Sequence, residues 1–164
     1  MDDFSRPGED IATTRGGRVD PLGLAFAAAR AAAARGEVPV GAALMRGGRV
    51  LAVEGNRMRE RRDPTAHAEI LAIRAAASAL GDERLGGCDL YVTLEPCPMC
   101  AGAISLARLR RLYFAAFDPK GGAVENGPRV FNQPTCHHVP EVYGGLRERE
   151  GAAMLRAFFR SRRD

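Results

Sequence analysis

The sequence predicts an α/β fold of three layers, in which helices cover both faces of a mixed sheet of about five strands. Segments with helical and strand-like patterns follow one another in the order helix, hairpin, then alternating helix and strand. Two strand-like runs, residues 90–94 and 112–116, contain no charged residue, which is typical of strands buried on both faces. With 164 residues, 46% of them hydrophobic, the chain is long enough for one domain with a real core.

Three helices are predicted from start and stop signals in the sequence, and a fourth from an amphipathic pattern. Asp20-Pro21 and Asp63-Pro64 each place a capping residue before a proline at the first helical position, and Glu95-Pro96 supplies another proline start. Gly36 and Gly81 suit helix ends. The predicted helices cover residues 21–35, 63–80, 95–106 and 148–160.

Five strands are predicted from short apolar runs. Gly47-Gly48 joins the first two as a two-residue hairpin turn, and Pro140 restricts the last one to the edge of the sheet. Residues 117–140 are rich in Gly, Pro, Asn and His, which indicates a long functional loop with room for one short helix. The predicted strands cover residues 40–45, 49–53, 90–94, 112–116 and 139–143.

Composition bounds the setting in which this chain works. No apolar run approaches the ~20 residues of a membrane helix, so we expect no membrane association. The first 20 residues are polar and acidic, unlike an export signal or a transit peptide. We expect a flexible tail over residues 1–19, a single domain over residues 20–164 and a cytoplasmic location. The net charge of +4 is compatible with a polyanionic partner such as a nucleic acid, but does not require one.

A pair of cysteines three residues apart is the first candidate for metal binding. Cys97 and Cys100 would project from the same face of a helix, in its opening turn. There the helix dipole and unpaired backbone amides favour the thiolate form that zinc needs. In a reducing compartment Cys-x-x-Cys favours metal over disulfide. The alternative is two buried cysteines that pack as small hydrophobic side chains.

His67 and Glu69 are the candidates for a third ligand and a proton carrier. Residues two apart on a helix point about 200° apart, so the two can converge on one ion only at a helix N-terminus. Three protein ligands would leave the fourth zinc position open, which is typical of a catalytic site. A structural site would instead need His137 or His138 as fourth ligand. Cys88 and Cys136 have no partner in a motif.

The combination of His67-Ala68-Glu69 with Pro96-Cys97-Pro98-Met99-Cys100 resembles the zinc-dependent cytidine-deaminase-like superfamily. Within it, the sequence is most similar to the bacterial tRNA-specific adenosine deaminases. The likeness covers residues 20–163, and four stretches carry it: residues 37–42, residues 55–56 with 63–70, residues 90–103 and residues 158–163. Residues 125–138 depart from the family pattern.

The resemblance implies a cytidine-deaminase-like fold and one Zn²⁺ per subunit, held by His67, Cys97 and Cys100. It implies that Glu69 moves protons while water replaces the amino group of a base. It further implies that the wobble adenosine of a tRNA anticodon loop is flipped into the pocket and converted to inosine. A related deaminase of a free base or nucleoside, of guanine or cytosine type, is the alternative. A non-catalytic RNA-binding subunit is a third hypothesis, which leaves Glu69 without a role.

The resemblance also suggests which residues bind the substrate and the partner. Asn56 corresponds to a position that hydrogen-bonds the flipped nucleoside, and the family members usually form homodimers. The base pocket would be lined by the Ala68 backbone and by residues 38–42, which begin with Val38. Asp118 and Lys120, the only lysine of the chain, would contact neighbouring nucleotides. Phosphates would be bound by four arginines near the C-terminus: Arg156, Arg160, Arg162 and Arg163.

Overall fold

The computed structural model describes residues 18–163, so that the predicted tail lies outside the described residues except for Arg18 and Val19. Five helices, five strands and one 3₁₀ turn follow one another in that part of the chain. They are α1 (Pro21–Ala34), β1 (Gly41–Arg46), β2 (Arg49–Gly55), α2 (Met58–Arg61), α3 (Ala68–Leu80), β3 (Cys88–Leu94), α4 (Pro98–Leu106), β4 (Arg111–Ala116), the 3₁₀ turn (Val130–Asn132), β5 (Glu141–Gly144) and α5 (Glu148–Ser161).

The five strands form one mixed sheet in the order β2-β1-β3-β4-β5. β1 pairs antiparallel with β2 and with β3, whereas the β3–β4 and β4–β5 pairs are parallel. Gly47 and Gly48 connect β1 to β2 with positive φ angles of 54° and 79°, which a two-residue hairpin turn requires. β5 lies at the edge, directly after Pro140, as predicted.

Helices cover both faces of the sheet, which confirms the predicted three-layer class. Side chains alternate along each strand, so that Leu44 and Phe114 face a large core shared with α3 and α4. Ala43 and Ala115 point to the opposite face, where they pack with Phe26 of α1. α5 completes this second layer against β4. No helix within residues 18–163 is long and apolar enough to cross a membrane.

Two predicted helix starts are wrong, and both errors have a local cause. α3 begins at Ala68 instead of Asp63, because the Asp63 carboxylate accepts hydrogen bonds from both the N–H and the hydroxyl of Thr65 and closes a separate turn. α4 begins at Pro98 rather than near Pro96. Pro98 disfavours helical backbone at the residue before it, and Cys97 is accordingly extended, with ψ of 173°. The short helix α2 was not predicted at all.

Candidate active site

The N-termini of α3 and α4 meet near the carboxyl end of the central strand β3, and each is preceded by a potential metal ligand. His67 and Cys97 are the N-cap residues of these helices, and neither side chain caps its own helix. They face each other instead. The Sγ atoms of Cys97 and Cys100 each lie 3.6 Å from Nδ1 of His67.

This arrangement removes the geometric difficulty with His67 and Glu69. His67 lies outside the helix in extended backbone, so the 200° separation of helical residues does not apply to the pair. Glu69 occupies the second helical position and is 4% exposed. Its Oε2 atom is buried and has no hydrogen-bond partner within residues 18–163. A buried carboxylate oxygen without a partner is costly, which points to a ligand or substrate that the oxygen serves.

The three side chains fit a zinc ion. Zinc bound tetrahedrally about 2.3 Å from sulfur and about 2.0 Å from nitrogen separates those two atoms by about 3.5 Å, close to the 3.6 Å found here. Within residues 18–163, His67, Cys97 and Cys100 form the single group of His, Cys and acidic side chains arranged to hold a metal. His138 is not a fourth ligand, since its Nε2 lies 2.6 Å from the carbonyl oxygen of Leu109. His137 lines a different cavity. Neither histidine is therefore available as the fourth ligand that a structural zinc site would need.

The pKa values of the Cys97 and Cys100 thiols are shifted in opposite directions. A hydrogen bond from Cys100, followed by one from His67, lowers the pKa of Cys97 to about 4. The same bond to Cys97 raises the pKa of Cys100, with burial adding to the effect. One thiolate is therefore available at neutral pH, and a second requires an additional cation. Hydrogen bonding to Cys97 also raises the pKa of His67, and burial raises the pKa of Glu69.

A small cavity of about 170 Å³ opens in front of these groups. Its volume is below the about 300 Å³ at the lower end of small-molecule sites, so it admits a group of the size of one base and leaves the rest of a nucleotide outside. The lining residues include three of the predicted substrate contacts, Val38, Asn56 and Asp118. Further lining residues are Val40, Met58, His67, Glu69, Leu94, Glu95, Cys97 and Gly121.

Asn56 is held rigidly at this cavity. Its Oδ1 accepts a 2.8 Å hydrogen bond from the N–H of Ala68, its backbone N–H donates to the Val40 carbonyl, and its carbonyl accepts from Arg35. Because the amide oxygen must face the Ala68 N–H, the NH₂ group is the part directed elsewhere. Ala68 itself is fully buried, and its N–H is used to orient Asn56.

Comparison with known proteins identifies the family. The profile described as the cytidine and deoxycytidylate deaminase zinc-binding region matches residues 21–116. The chain belongs to this deaminase family. The deaminase is 65% identical over 140 residues to the tRNA-specific adenosine deaminase of Agrobacterium fabrum (strain C58 / ATCC 33970), covering 85% of this chain and 92% of the relative. This similarity confirms the predicted likeness to bacterial tRNA-specific adenosine deaminases.

Solved structures confirm the fold of the deaminase. A structure from a study of A-to-I editing by tRNA:A34 deaminases at the wobble position of transfer RNA matches with a TM-score of 0.81 and 64% identity, covering 82% of this chain and 98% of that one. A guanine deaminase from Nitrosomonas europaea matches with a TM-score of 0.69 and 27% identity, covering 84% and 82%. The fold alone therefore does not determine which base is deaminated.

A basic groove of about 510 Å³ lies on the surface of the deaminase along α5. Lys120 and three of the four predicted phosphate contacts line it, namely Arg156, Arg160 and Arg163, together with Leu155 and Phe159. Phe159 is 46% exposed. The fourth arginine, Arg162, donates a 2.8 Å hydrogen bond to the Gly36 carbonyl and stacks its guanidinium 4.5 Å from the Phe158 ring centre.

Several residues of the cavity were not singled out from the sequence. Met58 belongs to the short helix α2, which no sequence signal indicated. Leu94 and Glu95 reach the cavity because β3 ends there, and Gly121 reaches it from the loop that follows β4. Glu95 had one available signal, since an acidic residue between a buried strand and Pro96 is unusual in so apolar a setting.

Proposed function

We propose that this chain is a zinc-dependent enzyme that converts adenosine to inosine, by hydrolytic deamination, at the wobble position of a tRNA anticodon loop. One observation carries the proposal: a candidate three-ligand site lies beside Glu69, whose buried Oε2 has no hydrogen-bond partner in the described part of the chain. The similarity to tRNA-specific adenosine deaminases supports the choice of substrate.

His67, Cys97 and Cys100 would hold one Zn²⁺ per subunit. When bound, zinc with three protein ligands lowers the pKa of a water molecule at its fourth position toward ~7 and makes that water nucleophilic. The N-termini of α3 and α4 favour the negative charge that two thiolates bring to the site.

Glu69 is the proton carrier of the proposed reaction. Oε2 accepts a proton from the attacking water, and the carboxyl group then delivers it to the ring nitrogen N1 of adenine. Water oxygen forms a bond to C6, the C6–N bond breaks, and the amino group leaves as ammonia with the second proton of the water. Burial raises the pKa of Glu69, which suits a group that must both take and return a proton.

The base would be positioned by the walls of the 170 Å³ cavity. The Asn56 NH₂ group donates a hydrogen bond to an acceptor on the nucleoside, because its oxygen is already used by Ala68. Val38 packs against the ring. The small cavity favours a single base flipped out of a loop, which agrees with recognition of unpaired RNA.

The basic groove would bind the backbone of the anticodon stem-loop. Lys120, Arg156, Arg160 and Arg163 would contact phosphates, and the exposed ring of Phe159 can stack on a base. We retain Arg162 as a weaker phosphate contact, because its guanidinium already bonds to Gly36. Asp118 would contact nucleotides beside the target. Such an enzyme would act in the cytoplasm, where it meets its tRNA.

We further propose that the enzyme is a homodimer. Two apolar side chains are exposed: Leu106, the last residue of α4, is 81% exposed, and Val139, which precedes β5 in the sequence, is 55% exposed. A groove of about 390 Å³ runs beside Leu106, between Gly102 and Val130. Exposed apolar surface of this kind is typical of an interaction site. Light scattering should give the molar mass of a dimer for wild type and that of a monomer for Leu106→Arg. A monomeric wild type would contradict the proposal.

The decisive experiment is sequencing of an anticodon stem-loop treated with the purified protein. Inosine reads as guanosine, so conversion at the wobble adenosine gives a direct signal. Glu69→Gln should lower the rate by about 10²- to 10⁴-fold, the usual contribution of acid–base catalysis, while zinc content stays unchanged. Full activity in Glu69→Gln would contradict the assigned role.

A deaminase of a free base is the second candidate, favoured by the structural match to a guanine deaminase. Free guanine, cytosine and adenosine assayed beside the stem-loop separate the two functions. Turnover of a free base without conversion of the RNA would replace the first proposal with the second. A base deaminase also has no need of the basic groove, so neutralising the groove would then leave turnover unchanged.

A further inference from the structure

Glu95 is a buried carboxylate that the proposed reaction does not use. It follows β3 directly and is 2% exposed. Its two oxygens accept five hydrogen bonds from a single loop, residues 118–126. Oε1 accepts from the N–H of Asp118 at 3.0 Å and from Nδ2 of Asn126 at 2.7 Å. Oε2 accepts from the N–H groups of Val124 (3.1 Å), Glu125 (3.0 Å) and Asn126 (3.1 Å).

These bonds leave Glu95 no capacity to act on a substrate. A carboxylate offers about four lone-pair sites, and five donors already occupy them. All five contacts are donors to the carboxylate, so Glu95 serves as an acceptor that holds the loop. Glu69 differs, because its Oε2 has no hydrogen-bond partner within residues 18–163.

The loop held by Glu95 forms parts of both substrate surfaces. Asp118 and Gly121 line the cavity, and Lys120 lines the basic groove. Asp118 also tightens the turn between them, because its Oδ1 accepts from the N–H groups of Lys120 and Gly121. A shift of this loop would move the wall of the cavity and one cation of the groove together.

Gly122 shows how closely the loop is fitted to the carboxylate. A Cβ atom at this position would lie 2.5 Å from Cδ and Oε2 of Glu95 and 2.5 Å from the Asp118 carbonyl oxygen. Any larger residue must displace the carboxylate or the loop. Glycine here permits the backbone amides of residues 124–126 to reach one oxygen.

We propose that Glu95 is a positioning residue that fixes loop 118–126, and thereby sets the distance between the base cavity and the RNA-binding groove. This inference rests on the proposed function. It assigns to Glu95 an effect on RNA binding and alignment, transmitted through the loop, and no contact with the reacting atoms.

The test compares Glu95→Gln with Glu125→Gln in the full chain. Both changes remove one negative charge from the same region, but the Glu125 side chain is exposed and does not hold the loop. For Glu95→Gln we expect unchanged zinc content, faster deuterium exchange of the 118 and 124–126 amides, and a KM for the stem-loop raised about tenfold, as loss of charge-assisted hydrogen bonds would give. Glu125→Gln should remain within about twofold of wild type in all three measurements.

A second pair of variants separates positioning from simple loss of structure. Asn126→Asp alone places a carboxylate against Glu95 and should raise KM. In the double variant with Glu95→Gln, the carboxylate introduced at position 126 accepts a hydrogen bond from the amide introduced at position 95. The double variant should therefore bind RNA better than Glu95→Gln alone. Additive defects, loss of zinc in Glu95→Gln, or an unchanged KM would each overturn the inference. A wild type that does not deaminate the RNA would overturn the proposed function instead, and amide exchange would then still report on the loop.

Discussion

Oδ1 of Asn56 accepts a 2.8 Å hydrogen bond from the N–H of Ala68, the residue that begins α3 directly after His67. The bond ties a cavity side chain to the backbone next to the proposed metal ligand His67. It also fixes which end of the amide faces the cavity. In the proposed enzyme, placement of the base and placement of the metal would thus be linked through one buried contact.

Substitution of Asn56 by Asp should separate stability from activity. Aspartate keeps the acceptor for the Ala68 N–H, and its charge is favourable at the N-terminus of α3, so Tm should stay close to wild type. The donor to the nucleoside is lost, and activity should fall about 10- to 100-fold, as for a lost hydrogen bond of about 1.5–3 kcal/mol. Asn56→Ala should lower both Tm and activity, because it leaves the Ala68 N–H unsatisfied. Equal activity of Asn56→Asp and wild type would exclude the donor role.

Loss of either cysteine of the metal site should release zinc. A site with two remaining ligands binds zinc weakly, so Cys97→Ser and Cys100→Ser should each lose most of the metal measured by mass spectrometry of the purified protein. Cys136→Ser is the matched control, because Cys136 lies outside the metal group and bonds to Ser105 and the His138 carbonyl. Wild type should contain one zinc per chain. Full zinc content in Cys97→Ser would refute the ligand assignment.

Removing arginines from the basic groove should weaken RNA binding and its dependence on salt. Each phosphate contact contributes about 0.7–0.9 to the slope of log K against log salt, so the triple variant of Arg156, Arg160 and Arg163 to Ala should lower the slope by about 2–3. Arg149→Ala on the same helix is the control, because Arg149 does not line the groove. Titrations at several salt concentrations measure the slopes. A triple variant with the wild-type slope would show that RNA binds elsewhere.

Arg162→Ala should affect stability more than RNA binding. Its guanidinium holds the end of α5 against Gly36 and stacks on Phe158, and an exposed cation–π contact contributes about 0.5–1 kcal/mol to the free energy of unfolding. Tm should therefore decrease slightly, and the salt slope should fall by less than in Arg160→Ala, as expected for a weaker phosphate contact. A loss of slope equal to that of Arg160→Ala would show that Arg162 contacts phosphate as fully as Arg160 does.

Alkaline titration should report on the stack of tyrosines across β3, β4 and β5. The three tyrosines of the chain, Tyr91, Tyr113 and Tyr143, stack at 4.4 and 5.0 Å, and the sequence has no tryptophan. Burial raises the pKa of Tyr91 to about 12, so stability from its neutral form is complete below about pH 10 and is lost as pH rises through 12. Tyrosinate absorbance should include a late transition that is absent in Tyr91→Phe. A single transition of all three near pH 10 would contradict the burial.

Local sequence signals determined much of this protein. Proline starts and glycine ends located three helices, an amphipathic pattern located the fourth, and apolar runs located the five strands. The spacing of Cys97 and Cys100 indicated a metal site, although only Cys100 lies within α4 and Cys97 is its N-cap. The start of α4 could have been predicted from the sequence, because Pro98 disfavours helical backbone at Cys97. The start of α3 could not, because Asp63 is equally suited to cap a helix and to close a turn with its side chain.

Only the tertiary structure decided what these residues do together. It placed His67 outside α3 and 3.6 Å from both thiols, contacts between residues 30 and 33 positions apart that no local pattern specifies. It also placed two buried glutamates in opposite hydrogen-bonding environments. Oε2 of Glu69 has no hydrogen-bond partner within residues 18–163, whereas both oxygens of Glu95 accept hydrogen bonds from the loop 118–126. Local sequence sets backbone preference, but burial and the available donors depend on chain segments that meet only after folding.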